Sequence, residues 1–148
     1  MNLQPIFWGG LIAGILDISA ACLTAYLRRG IPPGAVLRYV ASGALGPAAA
    51  TGGTQAAIFG LAFHFVIATG AATVFYLASR KWMSLVERPV LSGLLYGIAA
   101  YLFMNFVVLP LSRVARGPMT VSGTIIGVVT LMLCIGLPIA LIVRRYSR

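Results

Sequence analysis

Apolar positions along the chain fall into four long runs, at residues 6–27, 54–79, 90–109 and 121–143. Each holds about twenty residues or more, which at about 1.5 Å per residue crosses the roughly 30 Å hydrocarbon core of a bilayer. Backbone in lipid finds no water to bond, so uninterrupted runs of this length are helices. Trp8 and Trp82, with Tyr26, Tyr76 and Tyr146, lie near run ends, where interface-seeking aromatics belong. The pattern predicts an all-α polytopic membrane protein, a four-transmembrane-helix bundle forming a single membrane domain over residues 1–148.

The connection between the first two runs is unusual. It reads RRGIPPGAVLRYVASGALGPAAATGG. Pro32 and Pro33 end the first helix, and residues 35–45 suit a short helix that Gly46-Pro47 stops. That helix is too short to span. It lies on the membrane surface, or it re-enters and carries Arg38 inward. In the fourth run, Pro138 after Gly136 predicts a kink.

Each run carries a seam of small residues. With Asp17 as origin and about 100° per residue, Gly10, Ala13, Gly14, Ala20, Ala21 and Thr24 fall within about 60° of it. In the second run Gly53, Ala57, Gly60, Ala68 and Ala71 share the face of His64. The third has Gly93, Gly97 and Ala100; the fourth has Gly123, Gly127, Thr130 and Cys134. Small residues let helices approach closely, and close packing drives association in lipid. The seams are therefore expected to face each other, with bulky residues toward lipid.

Composition narrows the class. Of 148 residues 60% are hydrophobic and 9% charged, which excludes a soluble globular enzyme, a disordered chain and a fibrous repeat. Eleven Lys and Arg against two acids give a net charge of +9. Nearly all the basic residues flank the apolar runs, as lipid-headgroup anchors and topology signals do, so nucleic acid is not an expected partner. Four spans put both termini and residues 80–89 at one end with six basic residues, Arg80, Lys81, Arg88, Arg144, Arg145 and Arg148. The other end holds five: Arg28, Arg29, Arg38, Arg113 and Arg116. The excess favours cytoplasmic termini. Cys22 and Cys134 lie within apolar runs and read as small hydrophobes rather than a disulfide. The first run has no basic n-region and carries an acid, so it reads as a span rather than a cleaved signal peptide.

Four polar residues bear on chemistry. Asp17 sits near the middle of the first span, where an ionisable group costs at least about 2.5–3.5 kcal/mol and must be neutral or paired. It is either a proton or cation site or a carboxyl that locks the bundle. His64, the sole histidine, lies at similar depth in the antiparallel second span. The two either share a proton as a coupled pair, or His64 bonds helices together. Asn105 is expected to hydrogen-bond across helices, and Arg38 to reach a phosphate headgroup or an internal carboxylate. No Walker loop, GxGxxG, HExxH or GxSxG motif occurs, and neither a metal site, a cofactor nor a catalytic residue is expected.

The order of features, GILDISAA, then IPPGAVLRYVASGALGPAA, HFVIATGAATVFYLASRK and YLFMNFVVLPLS, resembles small four-span bacterial inner-membrane proteins of the YagU-like kind. The resemblance covers most of the chain. It implies location and span count, and it transfers no activity and no site residue. Small multidrug-resistance exporters share a layout of four spans with one acid in the first, matched here by Asp17 alone. The expected function is a small proton-linked permease or exporter component. Its expected partners are the bilayer, a second copy of the chain, and a small solute or proton as cargo. The alternatives are a non-transporting scaffold, or a stress-related bilayer protein, and, least supported, an intramembrane enzyme.

Overall fold

The computed structural model describes residues 1–147. Four helices are long and apolar enough to cross a membrane: span 1 (Gln4–Arg29), span 2 (Gly53–Lys81), span 3 (Pro89–Leu111) and span 4 (Val121–Tyr146). An interspan helix, Pro33–Leu45, and a 3₁₀ turn, Pro47–Thr51, lie between spans 1 and 2. A single turn, Ser84–Glu87, precedes span 3. No strand occurs among the described residues, and the architecture is an all-α four-helix membrane bundle.

Spans 1, 2 and 4 run past the limits of their apolar runs because their basic ends stay helical. Arg28–Arg29, Arg80–Lys81 and Arg144–Arg145 occupy last turns, where a cation faces the negative end of the helix dipole and its stem still covers apolar surface. Span 1 stops at Gly30, whose φ of 65° is the left-handed conformation glycine tolerates. The N–H groups of Gly30 and Ile31 return to the carbonyls of Tyr26 and Ala25. Pro33 then opens the interspan helix at a position that needs no N–H. Span 4 begins with Thr120 as its cap, the hydroxyl accepting from the Gly123 N–H at 3.1 Å.

Span 1 packs on spans 2 and 4, and span 3 packs on span 4. Spans 2 and 3 follow each other in the chain yet meet mainly through one residue. The Tyr96 hydroxyl donates to the Ala71 carbonyl at 2.7 Å, and its ring stands edge-on to Phe75 at 5.0 Å. The interspan helix packs on the first half of span 2, where Leu37 and Ala41 lie against Gly60 and Ala41 is fully buried.

Burial is uneven along the bundle. At the end that holds the termini, Ala13, Ala72, Phe75, Ile135, Ile139 and Val143 form one core with almost no exposure. At the other end, span 1 has no buried residue after Gly14, span 3 none after Tyr101, and span 4 none in Val121–Leu131. Only Ala56 and Gly60 of span 2 are buried there, and both lie toward the interspan helix and its 3₁₀ turn. The bundle is thus tightly packed in one half and splayed in the other.

Candidate functional site

Asp17 and His64 lie where the packed half gives way to the splayed half. Their approach follows from the seam between spans 1 and 2. A Cβ at Gly10 would press on Thr69, and one at Gly14 would come within 2.7 Å of the Phe65 ring, so the backbones are close and antiparallel. This register brings His64 level with the turn Gly14–Asp17. The His64 Nε2 stands 3.0 Å from the Gly14 carbonyl and 3.9 Å from Asp17 Oδ2. A carbonyl only accepts, so Nε2 carries a proton and donates in this hydrogen bond, which leaves Nδ1 as the nitrogen that can gain or lose one. The Phe65 ring stands edge-on to the imidazole at 5.7 Å.

The Asp17 carboxylate accepts no hydrogen bond among the described residues. In the same set every buried side-chain nitrogen and oxygen is satisfied, as by Ser79 to the Tyr76 carbonyl and Ser92 to that of Leu85, both at 2.7 Å. The Asp17 side chain escapes that accounting by being 18% exposed. Cys134 of span 4 is the other titratable group within electrostatic reach of it. The site thus offers a carboxylate with free acceptor capacity beside an imidazole that is committed elsewhere through one nitrogen. Chemically, that pair can take up or release a proton and exchange one hydrogen-bond partner for another. No group of three or more His, Cys, Asp or Glu able to hold a metal occurs among the described residues.

The remaining polar residues lie apart from this pair. Asn105 does not bond across helices. Its Nδ2 donates to the Tyr101 carbonyl at 3.0 Å, one turn back in its own span, because the side chain stays beside the helix it belongs to. Arg38 reaches no carboxylate. Its Nε donates to the Ala50 carbonyl at 3.2 Å and ties the interspan helix to the 3₁₀ turn.

Among the seam glycines, Gly10 and Gly14 face span 2, while Gly93 and Gly97 of span 3 lie against Gly136 and Met132 of span 4. Gly127 sits under the Tyr101 ring. Three glycines depart from the expectation that seams face other spans: Gly53, where a Cβ would meet nothing within 4 Å, Gly60 and Gly123. Gly60 is occupied by the interspan helix, since a segment that leaves span 1 and returns to span 2 at the same end meets that stretch first. Gly123 lies in the first turn of span 4, against its own cap Thr120 and near Arg28.

The apolar pattern carried no sign that a backbone carbonyl would hold His64, because every residue has one. The Gly14 carbonyl is available because its residue has no side chain to keep the second span away. Comparison with known proteins gives no match: no family model, no curated protein and no solved structure aligns with the chain.

Proposed function

We propose that the protein is a small proton-linked permease or exporter component of a bacterial inner membrane, with Asp17 and His64 as its proton-bearing pair. The observation that carries this reading is the Asp17 carboxylate: central in its span, without a hydrogen bond among the described residues, and 3.9 Å from His64 Nε2. In this arrangement the Nε2–H donates a hydrogen bond to the Gly14 carbonyl. Protonation at Nδ1 makes an imidazolium, and its Nε2–H then turns from that carbonyl to the ionised carboxylate. Loss of the proton frees Asp17 again for a proton or a solute that competes for it. One four-helix chain makes a poor conduit, so the working unit is a homo-oligomer. The six-to-five distribution of basic residues supports cytoplasmic termini.

Infrared spectroscopy of the reconstituted protein tests this reading. Asp17 and Glu87 are the two side-chain carboxyls, so an Asp17→Asn difference spectrum isolates one band. The expected result is a carboxyl band that passes between its protonated and ionised forms as the pH is varied. Proton flux into proteoliposomes should vanish in Asp17→Asn while the protein still elutes as the wild type does. A band fixed in one state, with flux unchanged, overturns the proposal.

The hydrogen bond from His64 to the backbone of span 1 favours a second reading, a non-transporting scaffold in which His64 fastens two helices. Under it Asp17→Asn is mild, and Gly14→Leu disrupts the assembly.

A further inference from the structure

Spans 3 and 4 contain the same short phrase. MNFVVLP in span 3 and MLCIGLP in span 4 both read Met, two residues, Val or Ile, one residue, Leu, Pro. Both fold alike. The Leu109 N–H bonds the Met104 carbonyl and the Leu137 N–H bonds the Met132 carbonyl, each five residues back rather than four. Each span therefore holds one wide π turn, Met104–Val108 and Met132–Gly136, closing two residues before Pro110 and Pro138. The physical cause is the proline, which has no N–H and whose ring presses on the carbonyl four residues earlier.

A wide turn of this kind orphans a carbonyl. With the Leu109 N–H taken by Met104, Asn105 has no donor four residues on, and the fifth is Pro110. Arg116 fills the vacancy from the following loop, its Nη2 donating to the Asn105 carbonyl at 2.9 Å. The equivalent carbonyl in span 4 belongs to Leu133, which has no side-chain donor among the described residues and is 52% exposed. One turn is braced and its counterpart is not.

Both turns sit where burial ends. Span 4 is buried at Ile135, Gly136, Ile139, Ala140 and Val143 but nowhere in Val121–Leu131, and span 3 has no buried residue beyond Tyr101. The stretch 109–131 joins the two turns. It is held by the Arg28 Nη2 bond to Ser122 Oγ at 2.9 Å, the Arg113 N–H to the Gly43 carbonyl at 3.1 Å, the Arg116 bond to Asn105, the buried Val114, the Tyr101 ring over Gly127, and Leu131 packed on the core at its far end.

We propose that residues 109–131 form a flap that swings on two matched proline hinges, with Arg28–Ser122 as its latch, and opens or covers the splayed half of the bundle beside Asp17. The motion stands on the hinges alone. Its role as a gate rests on the proton-linked reading above.

Spin-label distances test the motion. In a background of Cys22→Ala and Cys134→Ala, one label pair replaces Val121 and Tyr26, across flap and span 1. A reference pair replaces Leu141 and Leu77 in the packed half. All four positions are exposed. In phosphatidylglycerol and phosphatidylethanolamine vesicles, the flap pair should show a second, longer distance that the reference pair lacks. Arg28→Gln should enlarge that population, with a shift of roughly 5 Å or more, the scale of one helical turn. Pro138→Ala, which restores an N–H, should shrink it. A flap pair as narrow as the reference pair, and unmoved by Arg28→Gln, overturns the proposal even if Pro138→Ala fails to fold. A flap that moves beside an Asp17 that never titrates upholds the hinges and overturns the gate.

Discussion

The two halves of this bundle are made from the same kinds of residue and differ in what those residues touch. In the half near the termini, glycine meets backbone: a Cβ at Gly136 would run into the Gly93 carbonyl, and one at Gly93 would lie 2.9 Å from that of Gly136. In the opposite half no residue of span 4 before Ile135 is buried. Both halves are apolar, so hydropathy does not distinguish them. Lipid solvates a leucine as well as a neighbouring helix does, and what separates the halves is close contact between the backbones of the long spans, since in the opposite half the close approach at Gly60 is made by the interspan helix. Rigidity in this molecule is therefore local to the seams, and Asp17 lies where they end.

Paired substitutions sharpen this contrast. The largest effect is expected at Gly136. Gly136→Leu sets a side chain against the backbone of span 3, so it should exceed the usual overpacking cost of about 1–3 kcal/mol and abolish the monodisperse peak in size-exclusion chromatography. Gly70→Leu, where a Cβ meets nothing within 4 Å, should elute as wild type. Equal behaviour of the two would remove the contact argument.

The next effect compares one residue type within one span. Ile139 is 0% exposed and Ile125 is 58% exposed. Ile139→Ala should cost about 2–4 kcal/mol in a mixed-micelle unfolding titration, because a cavity is left. Ile125→Ala should stay within about 0.5 kcal/mol, as surface changes do. A comparable loss at Ile125 would mean that the splayed half is packed in the bilayer, for example by a second copy.

The smallest contrast is between two serines. Ser92 Oγ donates to the Leu85 carbonyl at 2.7 Å from a buried position, whereas Ser122 accepts from Arg28 at an exposed one. Ser92→Ala should cost about 1 kcal/mol and Ser122→Ala less than half of that. Thermal unfolding of both variants in one detergent would rank them, and a reversed order would contradict the burial pattern.

Much of the fold was legible because apolar length is a direct physical requirement for crossing lipid. The four spans, the short helix after Pro33 and the proline irregularity in span 4 all follow from such requirements. The seams were legible as small residues but not as pairings. Gly60 shows why: a helix face favours close approach without naming what approaches, and the interspan helix is nearest. Asp17 and His64 could be set at one depth because consecutive spans run antiparallel. That His64 binds the Gly14 carbonyl was not legible, since backbone acceptors carry no residue signature. Asn105 misled for a related reason, because an amide can satisfy itself one turn back in its own helix. The matched turns were hidden because Pro138 reads alone as a kink while Pro110 falls just past the third apolar run, and the wide turn becomes visible only in the hydrogen bond from the leucine before each proline.

The partner of Asp17 also bears on how the chain is made. An acid in the first span enters the membrane with about 2.5–3.5 kcal/mol against it. The imidazole that faces it, His64, belongs to the very next span to be synthesised rather than to the last. Spans 1 and 2 can therefore leave the insertion machinery as a hairpin with the carboxylate already opposite its imidazole, before span 4 exists. The order of synthesis thus shortens the time during which the least lipid-compatible residue of the chain stands alone.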